Sequence, residues 1–74
     1  MNTRYKYIHF LGIDEYDWDV INNRSRETLG FIEWDRGWRC PVFYSKGIDV
    51  VFNATCLDDI SHFMKQLGES SKDG

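Results

Sequence analysis

Proline occurs once in this chain, at position 41, and cysteine twice, at 40 and 56. One proline and six scattered glycines exclude a polyproline or collagen-like segment. Two cysteines are too few for a disulfide scaffold, so the expectation is two thiols buried as small apolar groups. Neither cysteine belongs to a C-x-x-C pair, and the two histidines, His9 and His62, form no H-x-x-x-H pair. A metal site lacks the ligand spacing it would need. No glycine-rich loop precedes a helical stretch, which removes the usual cradle for nucleotide phosphates. No apolar run approaches the ~20 residues of a membrane span, and the start carries no secretory h-region. Nor is there an excess of positive charge. The formal net charge is −3, against the basic face that wrapping nucleic acid requires. By elimination the expectation is a cytoplasmic chain with no cofactor, no membrane anchor and no nucleic-acid partner.

What the chain does have is aromatic side chains, 16% of its 74 residues. Each large ring buries ~150–250 Å², so a short chain can still assemble a core. A domain of this size nevertheless hides only about 60% of its unfolded surface and is marginally stable.

Short apolar runs separated by turn signals predict an antiparallel β-meander of four to five strands. The expected strands are Arg4 to Leu11, Trp18 to Asn23, Thr28 to Trp34, Trp38 to Ser45 and Ile48 to Phe52. After position 52 the period changes. Leu57, Ile60, Phe63, Met64 and Leu67 recur at the spacing of an amphipathic helix. Asn53 or Thr55 can cap its start, Asp58 and Asp59 suit its first turn, and Gly68 its end. The expected fold is therefore α+β: a meander with one C-terminal helix packed on one face. Residues 1–67 form a single domain, and 68–74 a flexible polar tail.

The stretch "EWDRGWR" sets the expected register. Reading Asp35-Arg36-Gly37 as a three-residue hairpin loop, with Gly37 in the left-handed region, makes Trp34 face Trp38. Glu33 then opposes Arg39, a favourable cross-strand pair, and Ile32 opposes Cys40. One face carries Ile32, Trp34, Trp38, Cys40, Val42, Tyr44, Ile48, Val50 and Phe52, the expected platform for the helix. A four-residue turn at "RSRE" places Trp18, Val20, Leu29, Phe31, Pro41, Phe43 and Val51 on the other face. A sheet with one side in water should alternate apolar and polar side chains, and this one does not. One helix cannot cover both faces, so the second face is the candidate binding surface. Its residues are Trp18, Val20, Leu29, Phe31, Phe43 and Val51, with Glu33 and Arg39 at the rim and Arg36 at the turn tip.

No nucleophile, base and orienting acid form a local signature, so no catalytic residue is assigned. The leading expectation is a small non-enzymatic interaction module that binds a protein partner stoichiometrically. One alternative is a small-ligand or nucleotide binder with a site between aromatics and arginines at a dimer interface. Another is a minor enzyme. Self-association through the second face is expected, because two copies about a two-fold axis would hide the same patch twice.

The stretches "WDVINNRSRETLGFIEWDRGWRCPVFY" and "VFNATCLDDISHFMKQL" carry a resemblance. They resemble a family of short uncharacterised bacterial and phage proteins. Its pattern reads W-D-V-x-N-x-x-S-G-x-x-L-G-x-I-x-W, then W-R, a V-F strand and a C-L-x-D-I-x-x-F-L helix. Trp18, Asp19, Val20, Asn22, Ser25, Leu29, Gly30, Ile32, Trp34, Trp38, Arg39, Val42 and Phe43 match it, as do Cys56, Leu57, Asp59, Ile60 and Phe63. Arg26 departs from it, standing where the pattern has glycine. The resemblance implies a prokaryotic or phage setting, in which a phage-type inhibitor of a host defence protein is a fitting role.

Overall fold

A computed structural model describes residues 1–72, with side chains through Glu69. Four strands, β1 (Ile8–Gly12), β2 (Trp18–Asn22), β3 (Thr28–Asp35) and β4 (Cys40–Ser45), precede one helix, α1 (Ala54–Lys72). The strands form one antiparallel sheet in the order β1-β2-β3-β4. The fold is thus an α+β meander with a C-terminal helix. Pro41, which cannot donate to a ladder, sits on the edge strand β4, where such a residue is tolerated.

The expected fifth strand does not form. Ser45 Oγ donates to the Gly47 carbonyl, and the Val50 amide closes a turn on the same oxygen. The segment then crosses from the sheet edge to the helix with Ile48 and Val51 outside. Of this segment Phe52 packs inward, edge-on to Phe43 at 5.3 Å between centroids. The first strand is also shorter than expected. Residues 3–7 turn back on β1 through the Phe10 amide to Thr3 carbonyl bond and an isolated Arg4–His9 bridge. This N-terminal segment then docks on the helix. Asn2 and Gln66 exchange two hydrogen bonds, and the Tyr5 hydroxyl lies 2.7 Å from His62 Nδ1.

Both expected registers are corrected, each by an odd number of residues. Ile32 pairs with Phe43 rather than Cys40, and Val20 with Gly30 rather than with Phe31, the partner that a four-residue turn at "RSRE" implies. The reason is the turns. At Asn22–Glu27 and at Asp35–Cys40 the loop has four residues and is built in the same way. The first residue's Oδ1 accepts from the amide two positions on (Arg24 at 2.8 Å, Gly37 at 2.9 Å). Its carbonyl accepts from the fifth residue's amide (Arg26 at 2.8 Å, Arg39 at 2.7 Å). That fifth residue is an arginine at positive φ, 64° for Arg26 and 56° for Arg39. Gly37 has no positive φ and is not the bulge residue. Between Val20 and Ile21 the ladder shifts again, leaving Leu29 as an extra residue in β3.

An odd register error turns every side chain to the other face. Trp18, Val20, Pro41 and Phe43 therefore join Ile32 and Trp34 beneath the helix, while Val42 and Tyr44 leave it. Glu33 opposes Val42, not Arg39, and Trp34 opposes Pro41, leaving Trp38 77% exposed on the turn. The core joins Ile8, Phe10, Val20 and Ile32 of the sheet to Cys56, Ile60, Phe63 and Leu67 of the helix. Phe63 lies at its centre, stacked on Phe10 at 3.9 Å and edge-on to Trp18 at 5.0 Å.

The helix is capped by Asn53, whose Oδ1 accepts from the Cys56 amide at 2.8 Å. Starting at Ala54 puts Asp58 and Asp59 beyond the first turn. Cys56, not Leu57, faces the core, and Leu57 is half exposed. Gly68 lies inside the helix rather than past its end. Of the expected tail, 68–72 is helical and 73–74 lies outside the described residues.

Candidate binding surfaces

The residues expected to form one binding face separate into three places. Trp18, Val20, Leu29 and Phe43 belong to or pack against the core, with Val20 wholly buried. Phe31 and Glu33 lie on the open face of the sheet, exposed. Arg36 and Arg39 are exposed on the β3–β4 turn, and Val51 is exposed in the connection to the helix.

The open face is nonetheless rich in apolar groups. The register aligns Leu11, Asp19, Phe31 and Tyr44 in one row across all four strands. Leu11 and Tyr44 are about half exposed and Phe31 slightly less. Ile21 and Val42 flank the row, and Asp19 and Glu33 place carboxylates beside it. Two rings side by side on paired strands, with apolar and acidic neighbours, form a rigid and chemically mixed surface. The expected set lacks Asp19, Val42 and Tyr44 because the two register slips turn their strands over, and it lacks Leu11 because the turn signals set no register for the first strand.

Behind the sheet, between β4 and the outer flank of α1, runs a groove of about 580 Å³. Trp34, Pro41, Leu57, Ile60 and Met64 supply its apolar wall, and Arg39, Lys65 and Glu69 also line it. The helix shape leaves it open, because Leu57 lies off the stripe that meets the sheet.

A second concavity, about 320 Å³, lies at the corner where residues 3–7 fold back beside the β2–β3 turn. Arg4, His9, Leu11, Ile21, Asn23 and Arg26 line it. Asn23 organises this corner. Its Nδ2 donates to the Tyr5 carbonyl at 2.9 Å and to that of Lys6 at 3.4 Å. Its Oδ1 is thereby turned toward His9 Nδ1 at 2.7 Å and Arg4 Nη1 at 3.4 Å. Because an amide oxygen only accepts, His9 carries a proton on Nδ1.

The β1–β2 loop at the opposite end is acidic. Asp14 Oδ1 accepts from the amides of Tyr16 and Asp17, both at 3.1 Å. The Tyr16 amide bond leads in holding the Asp14 carboxyl below its ordinary range. Asp17 is pushed up, first by its side-chain hydrogen bond with Asp14, then by desolvation and by the charges of Asp14 and Glu33. Of the two carboxyls, Asp17 is therefore the first to take up a proton on acidification. Tyr5 is also raised, mainly by burial and next by the charge of Asp59.

Among the described residues no group of three His, Cys, Asp or Glu is placed to hold a metal ion. Both cysteines are free thiols, Cys56 in the core and Cys40 half-buried. Among the described residues no helix is long and apolar enough to cross a membrane.

No family model matches the chain, and no solved structure matches it. A curated protein of Acholeplasma phage L2, described as an uncharacterized 9.3 kDa protein, is 31% identical over 72 residues. The match covers 90% of this chain and 91% of the phage protein. Similarity of this extent, running through sheet and helix alike, makes the chain a member of the same family as that phage protein.

Proposed function

We propose that this protein is a non-enzymatic module that binds another protein stoichiometrically through the open face of its sheet. One observation carries this reading: the row Leu11–Asp19–Phe31–Tyr44, held in register on four strands and not covered by the helix. Tyrosine and phenylalanine fixed on a rigid scaffold have the character of interface anchors. The carboxylates of Asp19 and Glu33 beside them favour a partner that offers apolar side chains together with lysine or arginine. The same carboxylates disfavour a nucleic-acid backbone. With a phage protein in the family, the fitting role is inhibition of a host factor, including a defence protein, in the cytoplasm of a prokaryotic cell.

The test compares capture from host lysate by wild type, Phe31→Asp and Leu57→Asp. A partner that elutes with wild type and Leu57→Asp but is lost with Phe31→Asp supports the open face. Truncating a central anchor should weaken binding by roughly thirtyfold or more. Retention by Phe31→Asp with loss on Leu57→Asp would move the interface to the groove. Light scattering at ~100 μM, well above a micromolar Kd, tests the competing use of the same face. A wild-type dimer that Phe31→Asp converts to monomer would make a second copy the occupant.

The groove supports a second reading. A volume of about 580 Å³ with an apolar wall and two cations among its lining residues suits a small apolar ligand bearing an anionic group.

A further inference from the structure

We propose that the corner cleft between Arg4 and Arg26 is a binding site for a phosphate monoester. The site does not rest on the docking reading above, although Leu11 belongs to both. Three observations converge on it.

The first is uncompensated charge. The chain as a whole is acidic, yet no carboxylate lines this cleft, and Arg4, Arg26 and His9 all do. Among the described residues neither guanidinium forms an ion pair. An anion in the cleft would supply the partner that the fold leaves out.

The second is orientation. Asn23 is locked by the Tyr5 and Lys6 carbonyls, and its oxygen in turn holds His9 and Arg4. Polar groups held this way keep their donor directions without a ligand, which lowers the ordering cost of binding one. Fixing the Nδ1 proton of His9 also leaves Nε2 to accept from a monoanionic phosphate hydroxyl, or to donate when the ring is protonated.

The third is backbone strain. Arg26 occupies the left-handed region at φ 64°, which favours glycine and costs an L-residue about 1–2 kcal/mol. Arg39 is strained in the same way at the equivalent position of the other turn, but only Arg26 lines the cleft.

The size of the cleft selects the ligand class. A carboxylate is satisfied by one arginine fork, whereas two arginines from separate segments suit the several oxygens of a tetrahedral anion. About 320 Å³ is more than a bare phosphate fills. Leu11 and Ile21 offer the remaining space an apolar wall, which suits the organic part of an ester. That part can belong to a nucleotide or to a phosphorylated side chain.

Amide NMR titration at constant ionic strength tests the site, with inorganic phosphate, adenosine monophosphate, phosphoserine and acetate as probes. Saturable shifts should centre on His9, Asn23 and Arg26 with the three phosphate probes. The ester that binds tighter than inorganic phosphate identifies the source. Arg26→Gly suits its backbone position, so the variant should keep a dispersed, folded spectrum while phosphate binding weakens about tenfold or more. Arg4→Gln should weaken it similarly. Arg39→Gly makes the same turn substitution away from the cleft and should bind as wild type. Acetate binding as tightly as phosphate would overturn the proposal. So would unchanged binding by Arg26→Gly, or shifts that grow linearly and are shared by Arg24, Arg36 and Arg39.

Discussion

The covered and open faces of this sheet are made of similar amino acids and have opposite fates. Beneath the helix lie Phe10, Val20, Ile32 and Phe43. On the open side lie the exposed Leu11, Phe31 and Tyr44 and the half-buried Val42. Residue type does not separate the sets, since each contains aliphatic and aromatic side chains. Parity along the strand separates them, together with one device on the covered side. At Gly30 a Cβ would come within 2.7 Å of the Phe43 ring and closer still to the Tyr44 carbonyl. The missing side chain lets Phe43 lie flat across β3 and meet the core. On the open face Phe31 and Tyr44, paired in register on the neighbouring strands, have no such recess and stand in solvent. A face becomes core where a neighbour can be seated against it, not merely where apolar side chains occur.

The contrast can be broken most severely at Phe63, which touches both Phe10 and Trp18. Phe63→Ala should cost about 3–5 kcal/mol through lost burial and the cavity left behind. For a domain whose whole stability is on the order of 4–11 kcal/mol, this approaches global unfolding. Urea denaturation followed by circular dichroism measures it. A midpoint near that of wild type would show that the helix does not seat on the sheet through this ring. Phe31→Asp on the opposite face should change stability by only about 0.5 kcal/mol, as for surface positions.

Next in size is Gly30. Gly30→Ala must displace either the Phe43 ring or the β4 backbone, and overpacking of this kind costs about 1–3 kcal/mol. Thermal melting reads it as a fall in Tm of roughly 4–8 °C for each kcal/mol in a domain of this size. An unchanged Tm would mean that Phe43 has room to move, and the argument from the glycine recess would fail.

The faces were hard to assign in advance because both hairpins depend on a rare backbone state. The helix was legible, since Ile60, Phe63 and Leu67 keep its period and Asn53 supplies a cap acceptor. The meander was legible from run length and turn residues. β3 was even placed on the correct face. What failed was the parity of its two neighbours. A glycine such as Gly37 advertises positive φ, but the residues that take it are Arg26 and Arg39, a type for which this region is uncommon. Nothing local marks them. The corner cleft was invisible for a different reason. Arg4, His9, Asn23 and Arg26 meet only through the fold-back of residues 3–7, which strand propensity alone reads as continuous strand.

The two turn arginines sharpen this point with a smaller effect. Replacing either by glycine relieves about 1–2 kcal/mol of left-handed strain and gives back about 0.5–1 kcal/mol in chain entropy. Arg26→Gly and Arg39→Gly should therefore each raise stability by roughly 0.5 kcal/mol, a few degrees in Tm. Equal gains would show that the turns are interchangeable and that neither guanidinium supports the fold. A loss at Arg26 beside a gain at Arg39 would show that the cleft stabilises the corner even when empty.

The smallest effect belongs to the acidic loop at the far end of the sheet. Asp17 is half-buried, and its carboxyl is raised first by its bond to Asp14, then by desolvation and by the charges of Asp14 and Glu33. A raised carboxyl means that the folded protein prefers the protonated form. Its contribution to stability is thus present below the ordinary range, and is lost as pH rises through the folded value. Asp14 runs the other way. Its carboxylate is favoured by the Tyr16 and Asp17 amides, so that its contribution is present above the ordinary range and is lost on acidification. At neutral pH Asp17 is then a weak liability and Asp14 a weak asset. Asp17→Asn should raise Tm slightly at pH 7, because the amide keeps a donor for Asp14 and removes a charge facing Glu33. Asp14→Asn should lower it. Both differences should shrink with added salt, as exposed charges are screened within ~8–10 Å at moderate ionic strength. The gain from Asp17→Asn should vanish near pH 3, where wild-type Asp17 is already protonated. A gain that persists undiminished at pH 3 would show that charge is not its cause. The loop would then be held by its backbone turn alone.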